Sequence, residues 1–260
     1  MGARDIQIET QYEYGTRVGV WRLARFFAQE ELRVTVYAIG QSILKSPEAA
    51  KQLVSDGHEF ASHGYRWIDH HSVPLAVEAE QINKAIDAIE LISGKPPRGW
   101  YYGRPSISSK ALVCRAFQAR KIPLLYQADS YSDELPYWTP HPLEPGEGLL
   151  MIPYTYDVND GKFTSSPGFA NPKDWLDYAK LSFDVMYEEG QAGSPKMMTI
   201  GLHSRIIGKP ARFWALRELI KYIKTHEGVW FATREEIANH WRREHPFSTE
   251  SLPSEMPHFL

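Results

Sequence analysis

The sequence contains one cysteine, Cys114, in 260 residues. No internal disulfide can form, and no zinc knuckle of paired cysteines is available. A reducing, cytoplasmic setting is the simplest expectation for such a chain. Long apolar runs are missing too, and none approaches the roughly 20 residues that span a bilayer. The first fifteen residues, MGARDIQIETQYEYG, are polar and charged, unlike a secretory leader. The opening Met-Gly lacks the Ser or Thr that myristoylation wants at position six, where Ile6 stands, and the closing His-Phe-Leu is no peroxisomal signal. Neither sign of charge dominates: 29 Lys and Arg face 32 Asp and Glu, for a net charge of -3. That balance leaves no electrostatic footprint for nucleic acid or an anionic membrane. Repeats, low-complexity tracts and Gly-Ser linkers are absent. No glycine-rich phosphate fingerprint follows any apolar run, which removes the main support for a dinucleotide-binding fold.

What is present is enough for a large core: 43% of residues are hydrophobic and 23% charged. Short β-branched runs alternate with longer amphipathic ones. Strands are predicted at 33–39, 59–62, 99–102, 122–127, 149–154, 197–203 and 229–232. Helices are predicted at 17–31, 47–56, 77–92, 108–119, 175–189, 213–225 and 234–243. Ser46 and Pro47 read as the N-cap and first position of one helix, with Gly57 as its stop, and Gly94 ends the next. Strict alternation of strand and helix implies a parallel sheet with right-handed crossovers. Of the two closures, an irregular (β/α) barrel is favoured over an open doubly wound sheet. One domain is expected over residues 1–247, with a tail at 248–260.

In parallel α/β folds chemistry gathers at the carboxyl ends of strands. His63 follows the run EFAS. Gly103 and Arg104 follow GWYY. Asp129, Asp133 and Glu134 follow LLYQ, Asp157 and Asn159 follow LLMIPY, and His203 and Arg205 close the run MMTIGLHSR. On a barrel such residues would share one mouth. Each also has a plainer reading. A histidine after a strand often serves only as a structural hydrogen-bonder, Arg104 suits an ion pair, Asp133 suits a turn, and Glu13 suits a solvated surface. The eight tryptophans, Trp67 and Trp138 among them, suit packing. The remaining histidines (His58, His70, His71, His141, His226, His240, His245, His258) read as surface residues.

Several runs resemble those of the polysaccharide deacetylase (NodB-like) superfamily, on its allantoinase-like, metal-independent branch. They are YEYGTRVGVWRL (12–23), SHGYRW (62–67), YYGRPS (101–106), DSYSDELPYW (129–138), IPYTYDVND (152–160) and GLHSRIIGKPAR (201–212). The resemblance implies a deformed parallel (β/α) barrel and hydrolysis of a non-peptide C–N bond. It implies His203 as the acid that protonates the leaving nitrogen. It implies Arg104, in Arg104-Pro105, as a grip on substrate oxygens or a partner for the oxyanion. His63 matches the first histidine of the family's metal signature and would hold or deprotonate the attacking water. Trp67 stands where the second histidine belongs. Glu13, Trp67, Asp133, Trp138 and Arg205 are the expected substrate-binding residues, with Glu13 or Asp133 orienting a histidine.

The family's acidic first strand has no counterpart ahead of the first helix, which points to a fragment, a shortened gene or a barrel with one stave fewer. No cofactor and no metal ligand are therefore expected, with zinc as the alternative. The expected partner is a small cyclic amide or an N-acetylated sugar, with no nucleic acid and no membrane. An exposed sheet edge would favour homo-oligomers. Three functions stay open: an allantoinase-like ring-opening hydrolase, a chitin or N-acetyl-sugar deacetylase, and a non-catalytic remnant.

Overall fold

In chain order the elements are α1 (Ile6–Tyr14), a π-helical turn (Gly15–Gly19), α2 (Val20–Gln29), β1 (Thr35–Ala38), α3 (Gly40–Lys45), α4 (Pro47–Ser55), β2 (Glu59–Ser62), α5 (Leu75–Ser93), β3 (Gly99–Trp100), α6 (Ser109–Ala119), β4 (Tyr126–Gln127), β5 (Tyr137–Pro140), β6 (Gly148–Met151), α7 (Pro172–Gln191), α8 (Pro210–Ile223) and α9 (Arg234–Glu244). Two short 3-10 turns, Asp160–Phe163 and Thr249–Ser251, complete the series. The computed structural model describes residues 5–252. The Met-Gly opening, His258 and the final tripeptide, discussed above, lie outside them. The chain divides into two compact units: Met1–Leu32 with Tyr154–Phe231, and Arg33–Pro153 with Ala232–Leu260.

The second unit holds the sheet. Its order is β1-β2-β3-β4-β6-β5, parallel throughout except for β5, which runs antiparallel to β6. Helix α5 forms because Ile82, Ala85, Ile86 and Ile89 repeat at helical spacing, and all four are fully buried. They join two clusters, one with Trp100 and Phe117 and another with Phe60 and Ala38. Emptying the Trp100 site would cost about 3–5 kcal/mol. Gly94 ends α5 in the left-handed region, at φ 73°. Helix α9 opens with a full capping box between Thr233 and Glu236. The Arg234 guanidinium donates to the carbonyls of Ile152 (2.8 Å) and Pro153 (3.0 Å), tying the helix start to the end of β6.

In the first unit α7 packs on α8. Trp175, Ala179, Ala215, Leu216 and Leu219 are buried there, and Phe26 of α2 meets Phe213 edge-on at 5.4 Å. The π-helical turn presents Gly15 and Gly19 to the chain at Ser204. A Cβ at Gly19 would strike the Ser204 carbonyl, and one at Gly208 would strike that carbonyl and the Gly19 Cα.

Three expectations need correction. The segments 197–203 and 229–232 carry no sheet pairing among the described residues. The first is held by loop partners instead: Thr199 N–H donates to Thr155 Oγ1, and the Gly201 carbonyl accepts from Asp160 N–H. The run Tyr137–Pro140, left between predicted elements, is an edge strand, where a terminal proline costs no ladder bond. Helix α1 was not expected at all, because it buries no residue and shows no apolar stripe. Among the described residues, no helix is long and apolar enough to cross a membrane.

Candidate active site

His63 leaves the end of β2, its N–H extending the ladder to the Ala38 carbonyl at 2.8 Å. Its Nδ1 lies 2.7 Å from the Tyr101 carbonyl oxygen. A carbonyl can only accept, so Nδ1 carries the proton and Nε2 carries the lone pair of the neutral ring. The imidazole stacks on the Tyr101 ring at 5.0 Å and 10°, with Tyr37 5.1 Å from the same tyrosine. Tyr101 in turn shares a hydroxyl hydrogen bond of 2.9 Å with Tyr131. This stack fixes the plane of the imidazole.

The loop after β3 carries Arg104. Gly103 turns it in the left-handed region, at φ 74°, where a side chain would be strained. Asp129, just past β4, accepts the N–H groups of Tyr102 (2.9 Å) and Gly103 (2.7 Å). Burial pushes the Asp129 carboxyl up to about 6, against the pull of those N–H groups and of Lys110. Arg104 is exposed, and its guanidinium lies 4.7 Å above the indole of Trp67.

A catalytic zinc usually takes three protein ligands. His63 Nε2 is one suitable donor. Four residues on, the indole of Trp67 has an N–H and no lone pair to offer. Among the described residues no three His, Cys, Asp or Glu side chains are grouped to hold a metal. The residues present do not fit such an ion.

In the other unit His203 is held by Asp160, a fully buried residue on the turn after Asn159. Asp160 Oδ1 lies 2.6 Å from His203 Nδ1, while Oδ2 accepts the N–H groups of His203 (2.8 Å) and Ile207 (3.0 Å). A carboxylate that accepts from two backbone N–H groups is an acceptor towards the ring as well. Nδ1 is therefore protonated, and Nε2 is the atom that gives or takes a proton. The short contact also lets the buried carboxylate accompany the positive charge of a doubly protonated ring. Asn159 prepares the turn, its Oδ1 accepting from Gly161 N–H and its Nδ2 donating to Tyr154 Oη.

The remaining expected residues fare differently. Arg205 lies 4.5 Å over the ring of Tyr12. Glu13 is exposed on α1. Asp133 is exposed and accepts the N–H groups of Glu134 and Leu135, the arrangement of a local turn. Trp138 is buried in β5, its indole N–H donating to the His245 carbonyl and its ring set against Phe247. Neither Glu13 nor Asp133 orients His203; Asp160 does. Two histidines expected at the surface are buried: His58, whose Nδ1 meets Val34 N–H, and His70, packed 4.0 Å from Tyr102. Burial lowers the pKa of both rings. Sequence reading placed Asp129 among the strand-end residues without giving it a role, and singled out neither Asp160 nor Tyr101. The signals for Asp160 were its place at the close of the run IPYTYDVND and in Asn159-Asp160-Gly161, a turn-forming triplet.

The mostly parallel α/β sheet, with His63 set at the end of β2, is the frame on which the relatives place a deacetylase-type hydrolase. The chain belongs to the polysaccharide deacetylase family, in the NodB-like superfamily. The model of that family, described as polysaccharide deacetylase, matches residues 4–119. A protein of Schizosaccharomyces pombe named as a polysaccharide deacetylase is 44% identical over 94% of this chain and 79% of its own length. A solved structure of a polysaccharide deacetylase from Pseudomonas aeruginosa is 45% identical, with TM-score 0.88, over 95% of this chain and 80% of that one. The crystal structure of Puue allantoinase is 42% identical, with TM-score 0.89, over the same shares.

Proposed function

We propose that this protein opens a small cyclic amide of the allantoin kind by hydrolysis. The observation that carries the reading is the pairing of Arg104 with Trp67. An indole replaces the second histidine of the metal-dependent pattern, and a guanidinium rests over it. A planar fork of five donors suits the oxygens of a ureido group. The likeness to Puue allantoinase supports the same choice.

Three things are needed to break an amide: an activated water, a partner for the developing oxyanion, and a proton for the leaving nitrogen. His63, with its lone pair on Nε2, takes a proton from the water as the new C–O bond forms. Arg104 faces the carbonyl oxygen as it becomes an oxyanion. His203 gives its Nε2 proton to the nitrogen as the C–N bond breaks. The ring opens to a carboxylate and a free ureido group. Trp67 and Arg205 are assigned to substrate binding. We place the reaction in the cytoplasm, which agrees with a chain that carries a single cysteine. The test is to offer the purified protein allantoin and, separately, N-acetylglucosamine oligomers. Allantoate should form faster than acetate is released. Acetate release without allantoin turnover would replace this reading with a sugar deacetylase.

A further inference from the structure

We propose that Glu78 is a positioning residue for Arg104: a buried carboxylate that fixes the loop from which the guanidinium is presented. The proposal rests on the reading above, in which Arg104 meets the substrate.

Glu78 stands in the first turn of α5 and is fully buried. A carboxylate withdrawn from water needs hydrogen-bond donors. The helix start contributes favourable partial charge, and the donors come from the Arg104 loop. Ser106 Oγ donates to Glu78 Oε2 at 3.1 Å, and Ser109 Oγ donates to Oε1. The same hydroxyls pass the hold on to the backbone. Ser109 Oγ accepts Ser106 N–H at 2.7 Å, and Ser106 Oγ accepts Ser108 N–H at 3.2 Å. The downstream flank of Arg104 is thus tied to one side chain on another element.

The other ties are already complete without it. Asp129 holds the backbone of Tyr102 and Gly103, and His70 N–H donates to the Arg104 carbonyl at 3.2 Å. The His70 ring covers the cluster, with Nδ1 3.9 Å from Glu78 Oε1. Arg104 itself projects into solvent with the Trp67 face beneath it. The aim of such a side chain follows the backbone that carries it, and a misplacement near 1 Å costs about a hundredfold in rate. Glu78→Gln keeps the volume but puts an N–H₂ donor where one serine hydroxyl donates. The displaced hydroxyl must then turn its proton to its serine neighbour, 3.1 Å away, so one of the two ties to residue 78 reverses and weakens.

The experiment combines Arg104 resonances with a double-mutant cycle. In the wild-type protein the Arg104 Nε–H signal, assigned through its loss in Arg104→Lys, is displaced by the indole ring current. In Glu78→Gln it should move to the position of an unstacked arginine. With allantoin, Glu78→Gln should lower kcat/KM about tenfold and Arg104→Ala about a hundredfold. The double variant should fall within about threefold of Arg104→Ala. Ser109→Ala, which leaves the carboxylate in place, should shift the signal the same way should Glu78→Gln fail to fold. A ring-current shift retained in the folded variant, or losses that add, overturns the proposal. If the wild-type protein opens no allantoin, the functional reading fails while the resonance still decides the role of Glu78.

Discussion

Two aspartates illustrate how one side chain serves two ends. Asp160 and Asp129 each accept a pair of backbone N–H groups. Asp160 does so with one oxygen and turns the other onto an imidazole. Asp129 spends Oδ1 on both N–H groups and shares Oδ2 with one of them, at 3.0 Å. The first arrangement couples a rigid turn to a proton-carrying ring. The second stops at the loop. The difference lies in whether an oxygen is left over once the backbone is satisfied.

The largest expected effect removes the ring or its partner. His203→Ala should lower kcat by about a thousandfold, the scale of a lost general acid. Asp160→Asn should come within about tenfold of that loss, because an amide cannot accept from Nδ1 and from both backbone groups together. Turnover and melting temperature would be measured together for these variants and their combination. Losses that multiply fully would break the idea that the two act as one unit.

Next in size is His63→Ala, expected to lower turnover by at least about a hundredfold. Its melting temperature should change little, since the ring is only half buried. Near-normal turnover would remove His63 from the chemistry.

A smaller effect sharpens the contrast from the Asp129 side. Its folded value of about 6 stands above the ordinary 3.8, so the folded state holds the proton more tightly than the unfolded state does. The slope of stability with pH is then negative in that window. Stability from this group should fall as pH rises from about 4 to about 6 and stay level above. In Asp129→Asn that slope should vanish while the loop survives, because a single amide oxygen can still accept both N–H groups. Calorimetry across the window would show it, and an unchanged slope would assign the titration elsewhere.

The smallest effects are expected at a chelator and at a surface turn. Dialysis against a strong chelator should leave the rate within about twofold. Zinc-dependent recovery of a lost rate would contradict the donor set seen at His63 and Trp67. Asp133→Ala should change turnover by less than about threefold, as its Oδ1 holds two N–H groups of its own loop.

Much of the frame was legible in the sequence. The buried stripe of α5 announced itself by spacing, and β2 by a short run ending at His63. Glycines at 57 and 94 closed their helices at positive φ. What the sequence could not show was pairing. The run 197–203 is composed like a strand, yet its partners are a threonine hydroxyl and the amide of a turn. Edge strand β5 read as part of a loop because Pro136, Pro140 and two acids surround its aromatics. In the site, the histidines and Arg104 stood out as strand-end residues. Asp160 did not, because an aspartate before a glycine is the commonest of turn signals, and its burial is set by residues more than forty positions away.

The glycines beside Ser204 carry a lesson for reading natural variation. Gly19 and Gly208 touch no titratable group of the proposed chemistry, and a change of either to alanine would pass as conservative by any scale of residue similarity. Space decides otherwise, for a methyl group at either position meets the Ser204 carbonyl, one residue from His203. In a saturation library both positions should therefore behave like active-site residues, intolerant of every replacement. A clinical or genomic survey that ranks variants by chemical likeness would score them as harmless.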